Sequence, residues 1–339
     1  MFSGEAGLCC DSETGAYRFA MASETATVRL WLEKEIVARS MGVRYSPIRA
    51  PLHGIIPCGF MTWYALMRKT CEKTVVANAE AQARLLKKYG ANTIWIDFEW
   101  YHNNRDCPGN CDSLNPDPEV FPRGLKYIAD VIRENGMIPA IWCSPTHDVN
   151  ENESLRRDPD MLLVKQKEWC GRYFFDPTNP HFIHDFIPAA FNNVKNWGYR
   201  AVKWDTLPRS LDLYDDSHDK FYDPSGTSET ALRNVLAKAH EVLGKDVYRL
   251  SCSGENDRVV TACSEMFDAA RIGSDIFDWK EYIQYGVARM LKFYPMHNTM
   301  LLCDPDNLVL REEYNTMDQA ISRASLYSMM GAPSILAMI

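Results

Sequence analysis

Residues 199–210 read YRAVKWDTLPRS. Ala201, Val202 and Trp204 form a short apolar run of the kind that makes a buried strand. Lys203 lies inside the run, and Asp205 closes it just before a Pro-containing loop. Burying an unpaired ammonium or carboxylate costs several kcal/mol or more. In a strand, residues two apart point to one face. Lys203 and Asp205 therefore share a face, and Trp204 points the other way. Two opposite charges held together at the end of an apolar strand need a reason, and the surrounding sequence supplies one.

Upstream of this strand, HFIHDFIPAAFNNVKNWG (181–198) has helical period and stops at Gly198. The same alternation runs in both directions. Strand-like GFMTWYAL (59–66) precedes helical TVVANAEAQARLLKKYG (74–90). NTIWIDFEW (92–100) precedes LKYIADVIRENG (125–136), and MIPAIWCSP (137–145) leads back to the helix before AVKWD. Downstream, SETALRNVLAKAHEVLG (228–244) precedes VYRLSCS (247–253), and AARIGSD (269–275) precedes DWKEYIQYGVARMLKF (278–293). NTMLLCDPD (298–306), the helix of NTMDQAISRASLYSMMG (315–331) and APSILAMI (332–339) complete the series. Eight short runs, apolar on both faces and alternating with helices, predict a parallel sheet closed as an α/β (β/α)8 TIM barrel. Residues 1–50 contain GAYRFAMASETATVRLWLEKEIV, whose alternating β-branched and aromatic residues suggest the remnant of an N-terminal β-domain. The expected division is 1–50 partial β-rich segment and 51–339 catalytic barrel. No eighth helix follows the last strand, so the barrel is expected to be truncated there.

Composition excludes several classes. The 339 residues are 46% hydrophobic, enough for a large core, and net charge is −8 with no basic block, so nucleic acid is not an expected partner. No apolar run is long enough for a membrane helix, and the first residues, MFSGEAGLCCDSETG, have no signal-peptide pattern. A cytoplasmic location is the default. The chain has 11 Cys. Cys143, Cys252, Cys263 and Cys303 lie in apolar surroundings and read as reduced core thiols. Cys107 and Cys111, in turn-rich DCPGNCDS, allow a local disulfide or half a metal site, but no matching zinc-spaced pair follows.

Barrel chemistry sits at the C-terminal mouth of the strands. The runs bring to that end Trp63 and Tyr64; Asp97, Phe98, Glu99 and Trp100; Trp142; Lys203 and Asp205; Cys252, Ser253 and Glu255; Arg271 and Asp275; and Asp304 and Asp306. A lone carboxylate there reads as a salt bridge or helix cap. Several converging on one mouth repel one another and need a function to retain them. Such a set suits a polyhydroxylated substrate. Two carboxylates can split a glycosidic bond while the other charges hold hydroxyls.

In this light GFMTWY, IWIDFEW, FPRGLKYIADVIRENGMIPAIW, VKWD, SCSG, RIGSD and CDPDNL, in this order from about Pro57 onward, resemble the α-galactosidase group of glycoside hydrolases, clan D, families 27 and 36. SCSG is similar to family 36; RIGSDIFDW and DPDNL are similar to family 27. The resemblance implies a retaining exo-glycosidase acting on terminal α-galactosyl or related residues by double displacement. It implies Asp205 as nucleophile and Asp275, four residues after Arg271, as acid/base. Asp97 and Lys203 would bind the 3- and 4-hydroxyls, Arg271 would bind near the 2-hydroxyl or support Asp275, and Asp306 would be a further pocket acid. Trp142 and Trp63 would form apolar walls. Glu255 and Cys252, from the strand-5 motif, are candidate contacts to the 2-hydroxyl side. No metal or organic cofactor is implied. The expected partners are an oligosaccharide or glycoside and, in assembly, a second copy of the chain. Two other readings share the motifs: a transglycosylase of the same clan, of raffinose-synthase type, and a non-catalytic carbohydrate-binding relative.

One position departs from the pattern. Galactose-specific members usually carry two adjacent aspartates on strand 2, the second holding the 6-hydroxyl. Here the pair is Asp97-Phe98. Phe98 accepts no hydrogen bond and fills space, so the expected sugar lacks that hydroxyl, as in β-L-arabinopyranose or a 6-deoxy sugar. Glu99 reaching back would restore a partner for galactose.

Overall fold

The computed structural model of the chain describes residues 4–10, 17–23, 56–101, 112–144, 146–298, 300–333 and 335–336. Cys107, Cys111 and the side chain of Glu99 lie outside the described residues. Within the N-terminal segment, β1 (Gly4–Cys10) and β2 (Tyr17–Ser23) pair antiparallel.

Eight strands form one parallel sheet: β3 (Gly59–Met61), β4 (Thr93–Ile96), β5 (Ile138–Cys143), β9 (Ala201–Trp204), β10 (Tyr248–Cys252), β11 (Ala269–Arg271), β12 (Leu302–Asp304) and β13 (Ile335–Leu336). From β3 to β12 each barrel strand pairs with the next in chain order, and β13 pairs with β3 on its other side, so the sheet curls in the manner of the expected barrel; among the described residues no ladder joins β12 to β13. An excursion between β5 and β9 builds a small antiparallel sheet, with β8 (Gly171–Phe175) between β6 (His147–Asp148) and β7 (Leu162–Glu168).

The barrel strands are buried on both faces, which is why their sequences read as continuous apolar runs. Alternation sorts them into two layers. Met61, Trp95, Ala140, Ala201, Leu250, Ala269 and Leu302 pack inside the barrel. Ile94, Ile96, Ile141, Val202 and Trp204 pack outward against the helices. Trp204 stacks on Phe191 at 4.8 Å and meets His240 edge-on, so it occupies the barrel–helix layer as its alternation requires.

The expected helices appear as Glu72–Leu85, Gly124–Glu134, Ile187–Trp197, Ser228–Leu243, Ala288–Phe293 and Met317–Met330. Gly90, Gly136 and Gly198 end three of these segments with positive φ, as glycine after a helix does. Two readings need correction. In GFMTWYAL only Gly59–Met61 is strand; Thr62–Leu66 is a short helix, because the chain must leave the sheet at the mouth. TLPRS is not merely a loop, since Leu207–Asp216 is a helix with Pro208 in its first turn, a position proline tolerates. Cys143, Cys252, Cys263 and Cys303 are buried free thiols. Among the described residues no helix is long and apolar enough to cross a membrane.

One buried side chain ties the first strand pair to its helix. Gln82 accepts from Phe60 N–H at 2.8 Å and donates to Thr93 C=O at 2.9 Å. Gln82→Leu strands both backbone groups. We expect it to destabilise the protein by about 2 kcal/mol or more, read as a lowered urea midpoint with unchanged slope.

Candidate active site

Strand register sets the mouth of the barrel. Trp142 lies opposite Lys203, Lys203 opposite Leu250, Cys252 opposite Arg271, and Arg271 opposite Asp304. By alternation Trp142, Lys203, Cys252, Arg271 and Asp304 therefore face inward, one layer above the small apolar residues Ala140, Ala201 and Ala269. Polar chemistry thus rests on an apolar floor.

Two charge centres occupy this layer. In the first, Lys203 Nζ lies 2.9 Å from Asp97 Oδ2 and 3.8 Å from Asp205 Oδ2, and the Lys203 and Asp97 side chains are each only 4% exposed. Burial alone would lower the pKa of Lys203, but Asp97 foremost outweighs it and the ammonium is held above its ordinary value. Asp97 also accepts from Phe98 N–H at 2.9 Å, while its own N–H donates to Thr62 Oγ1. Asp205 is 15% exposed, open to the cleft. Trp142 Nε1–H donates to its Oδ2 at 2.9 Å, and Thr206 N–H donates to its Oδ1 at 2.6 Å. Thr206 has φ 65, unusual for a β-branched residue, and this left-handed turn aims its N–H back at the carboxylate. Behind it, the Thr206 hydroxyl is 2.8 Å from Ser144 Oγ, which is 2.8 Å from His147 Nδ1.

In the second centre, Arg271 Nη1 donates to Asp275 Oδ1 at 2.6 Å and to the Tyr64 hydroxyl at 3.3 Å, and lies 3.6 Å from Asp306 Oδ1. Tyr64 Oη donates to Asp306 at 2.7 Å, and Ile276 N–H donates to the same carboxylate. Burial pushes Asp275 upward, but Arg271 and then Lys203 outweigh it and hold Asp275 below the ordinary carboxylate range. Burial pushes Asp306 up to about 7 despite Arg271, and Asp304 up to about 6.

A cleft of about 680 Å³ joins the two centres. It is lined by Trp63, Asp97, Phe98, Trp169, Lys203, Asp205, Arg271, Ser274 and Asp275. The structure therefore brings seven of the sequence-predicted residues to one surface. Trp142, expected as a wall, stands behind Asp205 as a hydrogen-bond donor and touches the cleft through Phe98, 5.1 Å away. Asp306 is buried beneath Arg271 and Tyr64. Cys252 is buried in the inward layer, its thiol pushed up by burial. Glu255 lies exposed in the turn after β10, and the structure does not bring it to the cleft. The SCSG motif ends its strand at Cys252, so Glu255 falls beyond the reach that its spacing suggested.

Trp169 and Ser274 are cleft residues that sequence reasoning missed. Ser274 was legible as the residue inside RIGSD, between Gly273 and Asp275. A side chain at Gly273 would meet Tyr285 C=O at 2.2 Å, so this segment is held close to the helix behind it. Trp169 sits in the turn of the β7–β8 hairpin, far in sequence from any end of a barrel strand, and no motif marks it.

The buried carboxylate makes a pH prediction. Asp306 titrates near 7 in the folded protein and near 4 in an unfolded chain. Between those values the folded state keeps a proton that the unfolded state has lost, so stability falls as pH rises. Asp306→Asn removes that dependence. From about pH 5 to about pH 8 the variant should gain at least about 1 kcal/mol relative to wild type in denaturant titrations. Parallel pH profiles for the two proteins would contradict it.

Comparison with known proteins gives these features a context. No family model matches the chain. It is 21% identical over 231 residues to an α-galactosidase of Escherichia coli, covering 60% of this chain and 30% of that protein. It is 23% identical over 197 residues to an α-galactosidase of Lactobacillus acidophilus, covering 55% and 25%. The matches thus span under a third of these curated relatives. Among solved structures, a family 27 β-L-arabinopyranosidase of Geobacillus stearothermophilus, in complex with arabinose, superposes with TM-score 0.67 at 16% identity, over 83% of this chain and 71% of that one. An α-galactosidase of Thermus thermophilus in complex with stachyose gives 0.66 at 19% identity, over 95% and 67%. At these identities the structural likeness is one of fold. The chain is thus similar to curated α-galactosidases, and the ordered landmarks of its sequence resemble those of glycoside hydrolase families 27 and 36.

Proposed function

We propose that this barrel is the catalytic part of a retaining exo-glycosidase that removes terminal α-galactosyl or closely related residues, with β-L-arabinopyranosyl and 6-deoxy sugars preferred. The observation that carries the reading is the placement of Asp205 and Asp275 on one cleft, each beside its own buried cation. Asp205 is the nucleophile. Lys203, Trp142 Nε1–H and Thr206 N–H orient its carboxylate. Attack on the anomeric carbon forms a glycosyl ester as the leaving oxygen takes a proton from Asp275. Water, deprotonated by Asp275, then opens the ester. Asp97 and Lys203 hold ring hydroxyls at the deep end.

Asp275 needs a proton for the first step, yet its contact with Arg271 favours the ionised form. A leaving-group oxygen seated between Arg271 and Asp275 weakens that contact and lifts the Asp275 pKa, as a general acid requires. The pH profiles should report this. The alkaline limb of kcat, set in the complex, lies at higher pH than that of kcat/KM, set in the free enzyme. Coincident limbs would count against it.

The sugar preference rests on Phe98. It is buried among Trp63 at 5.9 Å, Trp142 at 5.1 Å and Trp169 at 5.5 Å, an apolar corner beside Asp97. A hydroxymethyl group placed there loses its hydrogen bonds to water without a replacement from Phe98. The arabinopyranosidase among the structural neighbours is in keeping with this.

Asp205→Asn should lower turnover by at least about a thousandfold. Azide should restore turnover of an activated glycoside to Asp275→Ala but not to Asp205→Asn. Across p-nitrophenyl glycosides, the β-L-arabinopyranoside should be preferred over the α-galactoside. A preference for galactoside by more than about tenfold would overturn the reading of Phe98, and full activity in Asp205→Asn would overturn the mechanism.

A further inference from the structure

Trp169 is 59% exposed, a large apolar surface to leave in water, yet it is not a loose surface residue. It lies in the two-residue turn joining β7 and β8, and the residues on either side of it are fixed. Glu168 Oε1 accepts from Arg209 Nη2 at 2.7 Å, which ties β7 to the helix that follows Asp205. Cys170 C=O is 3.0 Å from His147 Nε2, and His147 in turn joins Ser144 and Thr206 behind Asp205. At Gly171 a side chain would meet His147 Cδ2 at 2.6 Å and Asp148 C=O at 2.8 Å, so the hairpin is pressed onto its neighbours. The turn is thus latched to the segment that carries Asp205, and it holds the indole over the cleft, its ring 5.5 Å from Phe98.

The depth of the cleft gives the indole its place. Asp97, Phe98 and Lys203 are buried at the deep end, where an exo-acting site takes the terminal sugar. Trp169 is the exposed aromatic at the mouth, where the rest of the substrate must lie. From these positions we propose that Trp169 is the platform for the leaving-group sugar, stacking on the apolar C–H face of the pyranose or furanose ring next to the scissile bond. The proposal rests on the glycosidase reading above. An indole face meets C–H groups without hydrogen-bond geometry, so it selects for a ring of saccharide type rather than for one sugar. Because the same latch supports Thr206 and the hairpin, the platform and the nucleophile keep a fixed relation.

The test compares two donors carrying the same terminal sugar: a disaccharide, and the glycosyl fluoride, whose leaving group is too small to stack. Trp169→Ala should lower kcat/KM for the disaccharide about tenfold or more, mainly through KM, and for the fluoride by at least about fivefold less, since the fluoride keeps only the terminal sugar beside Phe98. Trp169→Phe should fall between, and it serves if Trp169→Ala lowers the unfolding midpoint. Equal losses on both donors, or no loss on either, overturn the proposal. If wild-type protein cleaves neither donor, the glycosidase reading fails first. Equilibrium binding of the disaccharide against its free terminal sugar then reads the same contact, and Trp169→Phe must weaken only the disaccharide for the platform to stand.

Discussion

The buried ion pair between Lys203 and Asp97 is the constraint from which the site follows. It links β9 to the end of β4, two strands separated by β5, so it spans the mouth of the barrel rather than one strand pairing. Neither charge is stable in that layer alone, and removing one leaves the other buried and unpaired. Their mutual dependence fixes the Lys203 ammonium, and the ammonium fixes the field at Asp205, 3.8 Å away. The left-handed turn at Thr206 and the Trp142 indole then complete the orientation of the Asp205 carboxylate. A charge pair that looks costly in the sequence anchors the Asp205 carboxylate in the orientation that its proposed role as nucleophile requires.

The charge balance of the mouth adds a second constraint. Five carboxylates, Asp97, Asp205, Asp275, Asp304 and Asp306, share the region with two cations, Lys203 and Arg271. Fully ionised, the group would carry a large negative surplus in a poorly solvated place. Burial relieves part of it by raising Asp304 and Asp306 toward neutrality, while Arg271 keeps Asp275 ionised. Asp205 and Asp275 line the cleft, where the oxocarbenium-like transition state of the proposed reaction would develop positive charge. The deep acids beneath Arg271 and Tyr64 hold the guanidinium in place and adjust the charge around it.

The barrel was legible because parallel strands buried on both faces leave an unmistakable trace: eight short apolar runs set between helical periods. The mouth residues of the strands were legible for the same reason, since Asp97, Lys203, Asp205, Arg271 and Asp275 each lie in or within a few residues of the end of an apolar run. Burial depth was not. Trp142 and Asp306 stand at correct strand ends, yet one lies behind Asp205 and the other beneath Arg271, because depth depends on how neighbouring side chains fill the layer. Trp169 was invisible for a different reason. It comes from an excursion whose strands alternate weakly, and its position over the cleft is set by tertiary contacts of Glu168 and Cys170 rather than by any local pattern. Glu255 shows the reverse case: it lies near a motif in sequence, yet it is exposed in the turn after β10 and is not among the residues that line the cleft.

The central claim is that Asp205 attacks the anomeric carbon, and covalent trapping tests it most directly. A fluorinated glycosyl fluoride of the preferred sugar slows hydrolysis of the glycosyl ester and lets the intermediate accumulate. Mass spectrometry of the proteolysed adduct should place one sugar on the peptide containing Asp205 and none on that peptide from Asp205→Asn. An adduct on another residue, or time-dependent inactivation of the active enzyme with no adduct on Asp205, would contradict the account.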